Sequence, residues 1–137
     1  MLSLRLQQMD DRIRRALSRG HLIDITTTGR RTGQPRRIAL VFHNIDGRLF
    51  ISGMPNPRRT RAWLRNLIDD PRFTFHLRGA AAADLPATAR VITEVAERRT
   101  VLDHVARNWN RTDVDFMVQH SPLIEVSIEG YAPAAVA

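Results

Sequence analysis

The 137-residue sequence contains no cysteine. This absence excludes a disulfide framework, cysteine-ligated zinc or iron–sulfur sites and a cysteine nucleophile. No apolar run approaches the roughly 18 residues that a membrane helix needs, and residues 1–20 are too rich in arginine for a secretory signal. We therefore expect a cytoplasmic protein without a transmembrane segment. The length is that of a single domain over residues 1–137, because two halves of this size would each be difficult to stabilise.

Lysine is also missing, so arginine supplies all 21 basic side chains, against 14 acidic ones. A GC-rich genome favours arginine over lysine, but such a bias does not explain where the charges lie. Residues 30–78 contain 11 arginines and 3 acids, whereas the rest of the chain has 10 arginines and 11 acids. This central excess of positive charge is typical of a site for nucleic acid, a membrane surface or a phosphorylated or carboxylated small molecule.

The spacing of apolar residues predicts short strands with helices between them. Leu2, Leu6, Met9, Ile13 and Leu17 recur at helical spacing, which predicts a helix over residues 3–18 that ends near Gly20. Period-two alternation predicts strands over residues 23–28, 38–43, 48–52, 73–78, 87–93 and 124–129.

Three further helices are predicted between these strands. One is capped by Asn56, with Pro57 at its first position. A second covers residues 94–108, and a third, shorter one is capped by Thr112. The apolar residues predicted to face inward are Trp63, Leu64, Leu67 and Ile68 in the first, and Val95, Leu102 and Val105 in the second.

The order of these elements indicates an α+β fold. Because most strands follow one another directly, the sheet is expected to be mainly antiparallel. Six short strands can close into a small barrel with the helices on its outside. The N-terminal helix would occupy residues 1–20, and residues 131–137 would form a loose tail.

Residues 29–37 (GRRTGQPRR) form a basic turn between two predicted strands. Its two glycines allow close backbone approach to a ligand, and its four arginines can bind phosphate or carboxylate bidentately. The turn lacks the Gly-Lys-Ser/Thr ending of a P-loop. A second cluster follows at Arg58, Arg59, Arg61 and Arg65. The pattern alone leaves open an anion site shared by both clusters or two solvated basic surfaces.

Two blocks of sequence carry a resemblance to a known family. Residues 25–36 (ITTTGRRTGQPR) resemble the opening motif of the deazaflavin (coenzyme F420)-dependent nitroreductase and quinone reductase family. Residues 52–55 (SGMP), together with 62–67 (AWLRNL), resemble the cofactor loop and following helix of that family. The resemblance is clear over about residues 22–79 and weaker beyond them.

The resemblance implies a split β-barrel, of the kind that binds FMN in other proteins, and the cofactor F420. The phosphate and oligoglutamate tail of F420 are polyanionic, which agrees with the charge distribution. Deazaflavin would supply the hydride for an electron-poor, quinone-like acceptor. The residues implied to bind the cofactor are Arg30, Arg31, Thr32, Gly33, Gln34, Pro35 and Arg36 on the phosphate side, Ser52, Gly53 and Met54 at the ring, and Arg58, Arg59, Trp63 and Asn66 around the pocket. Trp63 fits an ordinary core position equally well.

The sequence departs from the family at two places. Family members often have Ser-Lys-Gly-Gly where this chain has residues 52–55 (SGMP), and nitroreductase members carry tyrosines over the substrate pocket. The single tyrosine here is Tyr131, so nitroimidazole reduction is not expected. The candidate proton donors are Ser52 and Tyr131, followed by His43 and His76, and no metal site is expected because the histidines lack ligand spacing.

Other readings of the pattern remain open. The same barrel using FMN would need a phosphate site but fewer cations. A non-catalytic module could bind the cofactor or nucleic acid, although single-strand binders usually interleave exposed aromatic residues with the cations. A small barrel with an amphipathic N-terminal helix can also form a homodimer.

Overall fold

The computed structural model describes residues 9–59 and 61–131. Within these residues, six strands form a closed barrel in the order β1-β2-β3-β6-β5-β4, and every neighbouring pair is antiparallel. The strands are β1 (Leu22–Thr28), β2 (Pro35–Ile45), β3 (Arg48–Ser52), β4 (Arg72–Leu77), β5 (Ala83–Val91) and β6 (Leu123–Ile128). The helices are α1 (Asp11–Arg19), α2 (Ala62–Asp69), α3 (Val95–Asn108) and α4 (Val114–His120), with a 3-10 turn at Gly79–Ala81. The predicted antiparallel barrel with flanking helices is confirmed.

Two apolar clusters hold the barrel and its helices together. The first joins inward-facing strand residues to Leu17 of α1 and to Trp63 and Leu67 of α2. In its centre Phe42 and Phe75 meet edge to face, with ring centroids 5.2 Å apart. The second cluster joins Phe50 and Ile92 to the apolar faces of α3 and α4. Each fully buried large side chain contributes roughly 1.5–3 kcal/mol to folding.

The β2–β3 turn confirms the hairpin predicted from residues 44–47. Asp46 and Gly47 both have positive φ, 54° and 86°, which is the conformation of a type I′ turn that suits the twist of the flanking strands. The Asn44 carboxamide accepts a hydrogen bond from the Gly47 amide at 2.9 Å. The turn therefore sets the register in which Ile45 faces Arg48.

Two helix boundaries within the described residues differ from the predictions. Residues 3–8 of the first predicted helix lie outside the described residues, and α1 begins at Asp11 with Asp10 as its N-cap. The predicted start of α2 near Asn56 is wrong, because α2 begins at Ala62. The Asn56 side chain instead accepts a hydrogen bond from the Arg58 amide at 3.0 Å, which stabilises a local turn in place of the first helical turn.

Two of the predicted apolar faces are also corrected. Ile68 of α2 is 63% exposed, and Asn66 takes a buried position on that helix. Val95 is exposed because α3 starts there, with Glu94 as the N-cap accepting from the Ala96 and Glu97 amides.

Several other boundaries differ from the predictions. The cap of α4 is Asp113 rather than Thr112. Strands β2 and β5 begin earlier than their apolar alternation indicates, because their first residues pair with β1 and β4. Of the predicted C-terminal tail only Tyr131 is described. None of the described helices combines the length and apolar character needed to cross a bilayer.

His43 is a buried polar side chain, 5% exposed, in β2. Its ring meets Trp109 edge to face at 5.2 Å, and its Nδ1 lies 3.4 Å from Asn108 Nδ2. Among the described residues its Nε2 has no hydrogen-bond partner. Burial lowers the pKa of His43 from 6.5 to about 4, because the charged imidazolium would lose its hydration there.

We expect His43 to make the fold sensitive to acid. Between pH 6.5 and about 4 the unfolded chain binds a proton that the folded chain does not, so folding stability falls as the pH is lowered through this range. The loss reaches about 3 kcal/mol near pH 4. Urea unfolding at pH 7, 5.5 and 4 measures it, with His43→Phe as the comparison because that variant keeps the ring packing. If the unfolding free energies of the two proteins changed equally with pH, His43 would not be the source of the acid sensitivity.

Candidate functional site

The basic turn between β1 and β2 is closed by its own backbone. The Gly29 amide donates to the Gln34 carbonyl at 2.8 Å, and the Gly33 amide donates to the Gly29 carbonyl at 2.8 Å. Gly33 has a φ of 69°, which glycine adopts without strain. Thr32 Oγ1 accepts from the Gln34 amide at 3.2 Å. Gly33, Gln34 and Pro35 therefore form the framework from which the arginine side chains project.

Asn66 ties this turn to α2. Its Nδ2 donates to Thr27 Oγ1 at 3.0 Å, and its Oδ1 accepts from the Arg30 amide at 3.2 Å. Asn66 is only 4% exposed, and Thr27 is buried as well. Both ends of one carboxamide are thus used to hold the start of the basic turn against the helix.

A cavity of about 530 Å³ opens between the turn and α2, and we call it the turn cavity. The predicted residues that line it are Arg30, Arg31, Thr32, Arg36, Trp63 and Asn66. Residues that the sequence reasoning did not include are Thr27, Gly29, Arg37, Ile38 and Ala62. Most of the positive charge of the basic turn therefore surrounds a single hollow.

A second cavity of about 450 Å³ adjoins the first and shares Ile38, Ala62 and Trp63 with it. We call it the loop cavity, because Gly53 and Met54 of the β3–α2 loop line it. Arg59, Arg61, Ala39 and Leu40 complete its lining. The two cavities together form one cleft along β2 and α2, with the predicted Gly53, Met54 and Arg59 in its second half.

Most of the arginines near the cleft have no acidic partner. Of the 11 arginines in residues 30–78, Arg37, Arg48, Arg72 and Arg78 are paired with carboxylates. No carboxylate of the described residues pairs with the other seven, which are Arg30, Arg31, Arg36, Arg58, Arg59, Arg61 and Arg65. Five of these seven, Arg30, Arg31, Arg36, Arg59 and Arg61, line the cleft, which therefore carries an uncompensated positive charge that favours a polyanionic ligand.

The floor of the cleft is apolar and accessible. Ile38 is 37% exposed and Met54 is 51% exposed, so the cleft presents apolar surface beside its arginines. Residues 35–39 of β2 are exposed one after another, so this end of the strand is not covered on either face. A flat aromatic ring placed against Ile38 and Met54 would bury this surface.

Several predicted residues lie away from the cleft. Ser52 is buried, and its hydroxyl donates to the Pro122 carbonyl at 2.8 Å. The Tyr131 hydroxyl accepts from Asn44 at 3.2 Å, at the end of β2 opposite to the basic turn. Arg58 is exposed on the loop before α2. Neither candidate proton donor, Ser52 or Tyr131, lines either cavity.

The two candidate histidines are also outside the cleft. His76 is bonded at both ring nitrogens, to Thr26 Oγ1 and to Asp84 Oδ1, each at 2.7 Å. His43 faces Asn108 and Trp109. The described residues contain no group of three histidine or acidic side chains placed to hold a metal ion.

Comparison with known proteins identifies the family. The sequence profile of the F420H2-dependent quinone reductase family matches residues 3–130, nearly the whole chain. The chain belongs to this family. No functionally curated protein matches it.

Solved structures agree on the fold of this family member. A conserved hypothetical protein from Mycobacterium tuberculosis has a TM-score of 0.63 at 18% identity, covering 95% of this chain and 89% of its own. A protein of unknown function from Agrobacterium tumefaciens has a TM-score of 0.65 at 17% identity, and the match covers 96% of this chain but 57% of that protein. An F420-H2 dependent reductase, FDR-A, has a TM-score of 0.56 at 18% identity, covering 77% and 93%. At these identities the matches show the split-barrel fold.

Two of the cleft-lining residues that the sequence reasoning did not single out in this quinone reductase family member are Ile38 and Arg61. Ile38 was read only as the first residue of a strand, and Arg61 only as one member of a charged cluster. Arg61 lies two residues from the predicted Arg59 and immediately before α2. Its proximity in sequence to the β3–α2 loop could have indicated that it lines the cleft.

Proposed function

We propose that this chain transfers a hydride from reduced F420 to a small, electron-poor acceptor that is quinone-like or otherwise conjugated. The family supports the cofactor and the type of reaction. The observation that carries the proposal for this chain is a cleft that combines unpaired arginines in both halves with the exposed apolar side chains of Ile38 and Met54. F420 combines the same properties, because it joins a flat ring to a phosphate and an oligoglutamate tail.

The residues of the cleft fit this cofactor. Arg30, Arg31 and Arg36 line the turn cavity without carboxylate partners, so they are available to phosphate or carboxylate oxygens. Ile38 and Met54 offer an apolar surface to a ring. Trp63 lies between the two halves and lines both cavities while packing on the barrel core. We propose that these six residues, with Gly53 and Arg59, form the cofactor site.

Reduced deazaflavin supplies the hydride when bound, and the protein supplies binding, orientation and electrostatics. The arginines would hold the charged end of the cofactor, while the apolar floor limits water at the ring. The described residues that line the two cavities include no aspartate, glutamate or histidine. The proton that completes reduction of the acceptor therefore comes from solvent in this proposal.

An FMN-dependent reaction is the nearest alternative. FMN carries a single phosphate, which two or three arginines would neutralise, and it has no long anionic tail. The five unpaired arginines that line the cleft favour the longer polyanion.

Tryptophan fluorescence tests the cofactor directly. Trp63 lines the cleft, whereas Trp109 packs against His43 on another side of the barrel. In the Trp109→Phe variant, F420 is expected to quench Trp63 emission saturably, more tightly than FMN does, and with an affinity that falls between 50 and 200 mM salt. F420 also absorbs light at the excitation and emission wavelengths. The apparent loss of emission that this causes is measured with free tryptophan and subtracted.

Three outcomes of this titration are informative. Quenching by F420 but no turnover with a series of benzoquinones would support a cofactor-binding module instead of a reductase. Tighter binding of FMN than of F420 would favour the alternative cofactor. Binding of neither, together with salt-sensitive binding of single-stranded DNA, would overturn the proposal and assign the arginines to nucleic acid.

A further inference from the structure

Arg61 is held in a defined position beneath the β3–α2 loop. It precedes the first residue of α2, and one guanidinium nitrogen, Nη2, donates a hydrogen bond to the Met54 carbonyl. A Cβ atom added at Gly53 would lie 2.7 Å from Arg61 Nη1 and 3.3 Å from its Cζ. The guanidinium therefore packs directly against Gly53, and a larger residue at this position would require it to shift.

The electrostatic surroundings of Arg61 differ from those of the exposed arginines. The side chain is half-buried, and burial together with the neighbouring charge of Arg59 lowers the pKa of Arg61, which remains protonated. No carboxylate of the described residues pairs with it. A guanidinium has five N–H donors, and within the described part of the chain the backbone carbonyl of Met54 is the one acceptor bonded to the Arg61 guanidinium. Its remaining donors are available to a ligand in the loop cavity.

The walls around these donors are mainly apolar. Ile38, Leu40, Met54 and Trp63 line the loop cavity with Arg61. A partly desolvated cation beside apolar walls interacts more strongly with an anion than a fully hydrated one does. The loop cavity thus places a positioned charge next to the apolar surface assigned to the cofactor ring, beside which an acceptor must lie to receive the hydride.

Reduction of a quinone generates an anion of the type that this cation would stabilise. Addition of one hydride brings two electrons and one hydrogen nucleus to the neutral acceptor, forming one new bond to hydrogen. The product is a hydroquinone monoanion, with the negative charge on an oxygen. One proton from solvent then gives the neutral hydroquinone. The reduced cofactor would lose one C–H bond in the transfer, be oxidised by two electrons and release one proton to solvent, so that atoms and charge balance.

We propose that Arg61 binds the acceptor and stabilises the oxygen that becomes negative as the hydride is added. This inference rests on the proposed function, since it requires F420-dependent reduction of a quinone-like acceptor. It assigns to Arg61 a catalytic role at the acceptor, distinct from the role of the turn-cavity arginines in binding the cofactor.

Steady-state kinetics of Arg61→Gln with a series of benzoquinones test this assignment. We expect kcat to fall about 100-fold, while the F420 dissociation constant from Trp63 quenching stays within about three-fold of the parent value. The loss should be larger for acceptors whose hydroquinones have a higher pKa, because their oxygen bears negative charge less well. Arg61→Lys should recover part of the rate because it keeps the charge.

Arg65→Gln is the matched control. Arg65 lies on α2, is exposed, has no carboxylate partner among the described residues, and lines neither cavity, so this variant removes the same charge from the same helix. It should retain the parent kcat.

Other results would overturn the inference. An unchanged kcat in Arg61→Gln, or a loss independent of the acceptor's pKa, would remove Arg61 from the acceptor site. A rise in the F420 dissociation constant equal to the fall in kcat would make Arg61 a cofactor ligand. Failure of the parent protein to bind F420 would refute the proposed function itself, and the quenching titration detects that outcome separately.

Discussion

Replacing Arg30 and Arg36 together by alanine is expected to weaken F420 binding by about 100-fold or more. Both side chains line the turn cavity, and no described carboxylate neutralises either of them. Each charge-assisted hydrogen bond to a phosphate or carboxylate is worth roughly 1.5–3 kcal/mol, and every 1.4 kcal/mol changes affinity ten-fold. The quenching titration measures the change, and its salt dependence should become shallower in the double variant because fewer charges contact the ligand.

Two single variants separate this local effect from general loss of charge. Arg37 lines the same cavity, but its guanidinium is bound to Asp24 at 3.0 Å, so Arg37→Ala should cost clearly less affinity than either site arginine. Arg107 is exposed on α3 and lines neither cavity, so Arg107→Ala should leave the affinity unchanged. If Arg107→Ala weakened binding as much as the double variant, the turn cavity would not be the anion site.

Replacing Asn66 by leucine is expected to destabilise the fold by about 2 kcal/mol. The substitution removes the partner of the buried Thr27 hydroxyl and of the Arg30 amide. A buried polar group left without a hydrogen bond costs roughly 1–3 kcal/mol, which applies to the Thr27 hydroxyl, whereas Arg30 is exposed and its amide can bond to water instead. Urea unfolding measures the loss, which should be accompanied by weaker F420 binding because the basic turn is no longer held against α2.

A double-mutant cycle with Thr27→Val examines the Asn66–Thr27 contact itself. The two residues share one buried hydrogen bond of 3.0 Å, so the double variant should lose less stability than the sum of the single variants. Ile68→Ala serves as the control on the same helix, since Ile68 is 63% exposed and its loss should change stability by less than about 0.5 kcal/mol. Full additivity of Asn66→Leu and Thr27→Val would show that the contact contributes nothing.

Local sequence patterns were sufficient for the elements whose structure depends on near neighbours. In β1, Ile23, Ile25 and Thr27 alternate with polar residues, and these three are buried. The β2–β3 turn follows from Asp46-Gly47, which accepts the positive φ angles that the hairpin needs. In both cases the controlling interactions lie within a few residues of one another.

Patterns were insufficient where a distant partner changed the local preference. The periodicity of α2 predicted an inward Ile68, but hydrogen bonds to Thr27 and Arg30 orient the helix so that Asn66 is buried and Ile68 is exposed. These contacts span 39 and 36 residues of sequence. The cost of leaving such polar groups unpaired outweighs the burial of one isoleucine.

The sequence by itself determined that this protein is a small antiparallel barrel with its positive charge concentrated in residues 30–78. The reason is that the alternation of apolar and polar residues, the turn residues and the charges are all properties of neighbouring residues. Only the tertiary structure decided which arginines retain that charge. Asp24 pairs with both Arg37 and Arg78, and these guanidiniums lower the pKa of its carboxyl, whereas the closed register of the strands leaves Arg30, Arg36 and Arg61 beside the cleft without acids. Ion pairing depends on distances of a few ångströms between residues far apart in sequence, and strand register is what sets those distances.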